Sequence, residues 1–164
     1  MKYISTRGYD QKFTAAQAIT LGIAPDGGLF VPESTPTFAD GQIEEMCNME
    51  FYQISAKVIS MFLDDYSESE LLEYTRAAYD EEKWGNPAIP LVQMNKYNDR
   101  EYILELWHGP TSAFKDVALQ LLPYLMTAAI KKENESKKVC ILTATSGDTG
   151  KAAMAGFADV PGTR

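Results

Sequence analysis

Lys115 stands at a joint in the chain, in the run HGPTSAFKD at residues 108–116, where a strand-like apolar segment gives way to a helical one. Gly109 and Pro110 predict a turn, and Thr111 and Ser112 are hydroxyl residues able to cap a helix or to hold an anion. Beyond them Val117, Ala118, Leu121, Leu122, Leu125, Met126, Ala129 and Ile130 recur at spacings of three and four. That period predicts an amphipathic helix over 115–132, with Lys115 in its first turn. A cation there opposes the positive end of the helix dipole, at a cost of about 0.3–1 kcal/mol. Ala113 and Phe114 beside it predict partial desolvation, and both effects disfavour the charged amine. A neutral amine is a nucleophile for aldehydes, of which pyridoxal phosphate is the commonest in enzymes. The ordinary alternative is a surface lysine that lays its stem over apolar neighbours and keeps its charge in water.

A second stretch, SGDTG at 146–150, lies between an apolar run at 139–144 and a helical pattern at 152–157. Free N–H groups at such a helix start make an anion site, and two glycines let the backbone approach a ligand closely. The alternative is a capped loop with Asp148 as a helix-start residue. The string GDTGK superficially matches the end of a nucleotide-binding loop, but that motif needs glycine five residues before GK and a hydroxyl residue after it. Here Thr145 and Ala152 stand in those places. His108 reads either as a hydrogen-bonded core residue or as a support for the Lys115 turn.

The elements that must position these residues can be read from capping and period. Thr14 with Gln17 forms a capping box ahead of a short helix closed by Gly22, and Ser67 with Glu70 forms another ahead of a helix ending near Tyr79. Tyr3 to Thr6 is strand-like, and Asp26, Gly27 and Gly28 predict a turn into a buried strand at 29–31. Cys47, Phe51, Ile54, Val58 and Met61 predict one core-facing helix over 43–63. Breakers at Gly85, Asn86, Pro87 and Pro90 place a boundary between residues 88 and 89. Residues 91–94 and 101–106 predict a hairpin across a turn containing Asn95, Asn98 and Asp99. Pro123 predicts a kink within a single helix. The run at 139–144 predicts a strand buried on both faces of a parallel sheet.

With 164 residues, 45% of them hydrophobic, the chain has the composition of a soluble globular protein with a core. A net charge of −8 argues against nucleic acid and against an anionic membrane as partners. Two cysteines, Cys47 and Cys140, each in an apolar pattern, predict buried reduced thiols. With no run of about 18 apolar residues and no hydrophobic leader, a cytoplasmic location is expected. One histidine and no cysteine pair leave no metal site to expect.

HGPTSAFKD and LTATSGDTG, the latter at 142–150, together resemble the Schiff-base segment and the substrate loop of the threonine synthases. That family uses pyridoxal phosphate and has a tryptophan-synthase-β-like fold. DGGLFVPE at 26–33 and YISTRG at 3–8 are similar to the family's start. The resemblance implies an α/β architecture: a mostly helical amino-terminal domain with short strands at 1–88, then the start of a parallel-sheet, fold type II core at 89–164. It implies conversion of O-phospho-L-homoserine and water to L-threonine and phosphate, with Lys115 as the catalytic residue and cofactor anchor. Ser146, Gly147 and Thr149 would grip the substrate's α-carboxylate, and Asp148 would lie near the cofactor's ring hydroxyl, where the wider superfamily commonly has asparagine. Thr111 and Ser112 are candidates for the substrate phosphate, with helix capping the equal alternative. Members of the family are more than twice this length, so an amino-terminal portion, inactive by itself, is expected. The competing expectation is a non-catalytic binding module or regulatory paralogue.

Overall fold

The computed structural model describes residues 1–94, 100–133, 138–145 and 147–164. The amino-terminal strand β1 (Tyr3–Ser5) pairs antiparallel with β2 (Phe30–Pro32), and α1 (Ala15–Leu21) lies between them. The expected capping box is present: Gln17 N donates to Thr14 Oγ1, and Thr14 N donates to Gln17 Oε1. Gly22 closes the helix with a φ of 71°. The segment at 29–31 is not a buried strand, since Leu29 and Val31 are exposed.

The single helix expected over 43–63 is two, α2 (Gln42–Met46) and α3 (Phe51–Ser60). The break has a local cause. Glu50 N donates to Gln53 Oε1 at 2.9 Å, so a new helix start is capped in the middle of the periodic stripe. Cys47 falls in the break and is exposed, as is Cys140, so neither is the buried thiol expected, and the burial half of the cysteine argument fails. The second expected capping box opens α4 (Glu68–Ala78), which packs on α3. The short helix α5 (Glu81–Trp84) follows, just ahead of the breakers that begin at Gly85.

The hairpin forms from β3 (Leu91–Gln93) and β4 (Tyr102–Leu104), with Val92 opposite Ile103. Its turn residues Asn95, Asn98 and Asp99 lie outside the described residues. The helix expected over 115–132 is again two, α6 (Asp116–Leu119) and α7 (Leu122–Lys132). Pro123 sits in the first turn of α7, where its missing N–H would have no partner in any case, so it starts a helix instead of kinking one. The last helix, α8 (Asp148–Phe157), packs on α6.

The run at 139–144 is not a strand buried on both faces: Leu142 is 91% exposed. Among the described residues its backbone has partners on one side only. Val139 N donates to Gly162 O, Arg164 N to Val139 O, and Ile141 N to Arg164 O. This one-sided parallel ladder, centred on the Val139–Thr163 bridge and crossing over through α8, is the start of a parallel sheet; the full sheet core is not present among the described residues.

Two apolar clusters hold the fold, and both draw on residues from either side of position 88. One joins Leu63, Tyr66 and Leu71 to Ala128 and Ala129 of α7; the other joins Tyr79, Trp84 and Ala88 to Leu121. Polar straps run alongside. Tyr79 Oη donates to Val117 O at 2.7 Å and Tyr66 Oη to Leu125 O at 2.9 Å. Burial pushes both phenols up, that of Tyr79 to about 12.

Glu70 couples α4 to the end of α7 through Lys132, whose Nζ lies 3.0 Å from its Oε1. The Ser67 N–H and then Lys132 hold its carboxyl down to about 2 from 4.5. A depressed carboxyl contributes stability that is fully present above its unfolded value and is lost as pH falls through the folded one. With the side chain 34% exposed, solvent screening reduces that contribution to about 1 kcal/mol. Urea unfolding at a series of pH values should therefore show wild type losing more stability than Glu70→Gln between pH 4.5 and 2. Parallel loss in both proteins would contradict this.

Candidate functional site

The site is built on a turn that folds around one buried carboxylate. Asp116 is 0% exposed and accepts two hydrogen bonds of 2.8 Å from Thr111, one from its N–H and one from its hydroxyl. Gly109 opens the turn because nothing larger fits: a Cβ there would lie 2.6 Å from Asp116 Cβ and 2.8 Å from Trp84 Cη2. Ser112 completes the reversal in the left-handed region, with a φ of 58°. The chain thereby places Lys115 immediately before α6, where its carbonyl accepts from Leu119 N at 2.9 Å.

Lys115 is half-buried, with Nζ 4.2 Å from the centroid of the Phe114 ring. It has no hydrogen-bond acceptor or ion-pair partner among the described residues. An amine with no competing carboxylate is available to an electrophile. The dipole argument made from sequence is weaker than expected, because α6 is four residues long and not the head of a long helix.

Thr111 is buried, and its one hydroxyl proton is given to Asp116, so it shapes the turn and has no proton left for a phosphate oxygen. Ser112 is exposed and its hydroxyl makes no hydrogen bond among the described residues. His108 Nε2 lies 2.6 Å from Glu105 Oε2, and its ring stacks on Trp107. It therefore ties the end of the hairpin to the start of the turn.

The glycine loop meets this turn through α8. Gly156 packs directly on the backbone of Leu119, and Lys151 Nζ donates to Thr111 O at 3.1 Å. Gly147, with a φ of 152°, Asp148 and Thr149 are exposed at the head of α8. Ser146 lies outside the described residues. The N–H groups of Gly147 and Gly150 donate to Thr145 Oγ1, at 3.3 and 2.9 Å, while those of Asp148 and Thr149 have no acceptor among the described residues. The anion site read from sequence is thus half filled by a hydroxyl of the chain itself.

Asp116, Thr145 and Lys151 were not singled out by the sequence. Thr145 carried the signal of a hydroxyl residue just ahead of a helix start. Lys151 carried that of a cation in a first turn, where the dipole disfavours it. A cleft of about 550 Å³ lined by Tyr52, Arg76, Tyr79 and Pro87 among others does not include Lys115.

The model of the threonine synthase N terminus matches residues 2–79. A threonine synthase of Pseudomonas aeruginosa is 38% identical over 160 residues, 95% of this chain and 32% of that protein. The crystal structure of a threonine synthase from Brucella melitensis, described as bound to pyridoxal phosphate, superposes with a TM-score of 0.89 at 35% identity, covering 99% of this chain and 34% of that one. The similarity to threonine synthases runs over nearly the whole of this chain. Yeast threonine synthase gives a TM-score of 0.86 at 32% identity over 99% of this chain and 34% of its own. The chain thus spans about a third of the length of the threonine synthases it matches, and corresponds to their amino-terminal portion. Among the described residues no helix is long and apolar enough to cross a membrane, and no cluster of His, Cys, Asp and Glu could hold a metal ion.

Proposed function

We propose that the chain supplies the lysine turn and the substrate loop of a threonine synthase, a pyridoxal-phosphate lyase that converts O-phospho-L-homoserine and water to L-threonine and phosphate. The observation that carries this is a half-buried Lys115 amine with no acceptor of its own, on a turn packed against the helix that the glycine loop begins. The residues fit pyridoxal phosphate at its aldehyde end: one unpaired amine beside an aromatic ring. When bound, that group supplies a ring that withdraws electrons from the substrate's Cα. Lys115 Nζ would hold that group at its aldehyde end and would move the substrate's Cα proton. The N–H groups of Asp148 and Thr149, with Ser146 and Gly147, orient the substrate's α-carboxylate at the positive end of α8. Asp148 is the candidate beside the cofactor ring, and Ser112 the remaining candidate for the substrate's phosphate. In this reading residues 1–88 form the amino-terminal domain and 89–164 begin the cofactor-binding region.

One observation favours a binding module instead: the β3–β4 hairpin leaves Leu91, Val92, Tyr102, Ile103 and Leu104 exposed. An absorbance scan separates the two readings. With pyridoxal phosphate the chain is expected to develop a weak yellow band that borohydride bleaches, absent from Lys115→Ala, and to form no threonine by itself. No band at any cofactor concentration would overturn the catalytic reading in favour of the module.

A further inference from the structure

Lys151 is unexplained by the function proposed above. It stands in the first turn of α8, where the helix dipole disfavours a cation, so some contact must hold it there. That contact is the carbonyl of Thr111, 3.1 Å from Nζ. Thr111 in turn gives both its N–H and its hydroxyl to Asp116, the residue after Lys115. At its other end Lys151 donates its own N–H to Gly147 O at 2.9 Å. One continuous chain of hydrogen bonds therefore runs from the glycine loop through Lys151 and Thr111 to the carboxylate beside Lys115.

We propose that Lys151 is a positioning residue that latches the glycine loop to the lysine turn and so sets the distance between the bound carboxylate and the Lys115 amine. The latch adds a tether at the head of a helix that is otherwise held by packing. The helix α8 seats on α6 and α7, with Gly156 against Leu119 O, five residues from Lys151 or about 7.5 Å of helix axis. Lys151 ties the head of that helix by a hydrogen bond to the turn that carries Lys115, so its loss loosens the head relative to the turn while the packing further along remains. The bond is charge-assisted and partly buried, which makes it one of the stronger single contacts available for the purpose. This inference deepens the threonine synthase reading and rests on it for its catalytic meaning, though the latch itself is a property of the chain.

The test compares wild type, Lys151→Met, which keeps the stem and loses the donor, and Lys151→Arg, which keeps a donor. Hydrogen–deuterium exchange is followed in peptides covering 109–116 and 147–151, together with the rate at which pyridoxal phosphate is fixed on Lys115 by borohydride. Lys151→Met is expected to speed exchange about tenfold in both segments, the factor that one charge-assisted hydrogen bond contributes, with α1 and α4 unchanged. Lys151→Arg is expected to stay within about twofold of wild type, since it restores the donor. Fixation on Lys115 should slow in Lys151→Met and recover in Lys151→Arg. Unchanged exchange at 109–116 in Lys151→Met, a uniform rise across the whole chain, or failure of arginine to rescue would overturn the latch. If wild type fixes no cofactor on Lys115, the functional reading fails, and the exchange data still decide the latch.

Discussion

Gly156→Ala is expected to unfold the carboxy-terminal part of the chain more readily than any exposed substitution in α8. An added Cβ would lie 2.0 Å from Leu119 O and 2.9 Å from Leu119 C, both backbone atoms that cannot turn aside. Overpacking of this kind costs about 1–3 kcal/mol or more, and contact with backbone puts this site at the upper end. Alanine's better helix propensity returns only about 1 kcal/mol. The clash wins, leaving a net loss of about 2 kcal/mol. Urea unfolding should show that loss, while Met154→Ala, at a position 59% exposed, should stay within about 0.5 kcal/mol of wild type. Equal stability of Gly156→Ala and wild type would mean that α8 does not seat on α6 as described.

The second large effect is expected at Asp116. Asp116→Ala leaves the Thr111 N–H and hydroxyl buried without an acceptor, and each orphaned donor costs about 1–3 kcal/mol, so a total of about 2–6 kcal/mol is expected. Asp116→Asn keeps one acceptor oxygen and turns the other into a donor facing a donor, so it should fall between wild type and alanine. Thermal unfolding of the three proteins gives the order directly. The diagnostic partner is Thr111→Val, which removes the hydroxyl alone: its effect should be largely absent in the Asp116→Ala background, because the bond it breaks is already gone. Full additivity of the two substitutions would show that the 2.8 Å bond between them carries no stability.

Local chemistry was the legible part of this sequence. The Thr14–Gln17 and Ser67–Glu70 boxes mark α1 and α4 because a cap is decided by residues three apart. The hairpin was legible from two short strand-like runs flanking a polar turn, and the Lys115 turn from Gly109 and Pro110. What depends on distant partners was not. The 43–63 stripe hid a helix break because period records which face is apolar and not where the backbone restarts; Glu50 and Gln53 carried that information. Pro123 reads as a kink within one helix, whereas it stands in the first turn of α7. The apolar run at 139–144 told of strand propensity but not of how many neighbours the strand has, which is why Leu142 is exposed. Thr111 was legible as a hydroxyl near the lysine; that its proton is spent on a buried aspartate five residues on could only be seen once the turn was closed.

The measurement that bears most directly on the central claim, an unpaired Lys115 amine aimed at an aldehyde, is reductive trapping read by peptide mapping. The chain is incubated with limiting pyridoxal phosphate, reduced with borohydride, digested and analysed by mass spectrometry. The added mass is predicted on Lys115 ahead of every other lysine, and a Lys115→Met chain is predicted to lose that selectivity entirely. Label spread over Lys131, Lys138 and Lys151 as heavily as over Lys115 would contradict the account.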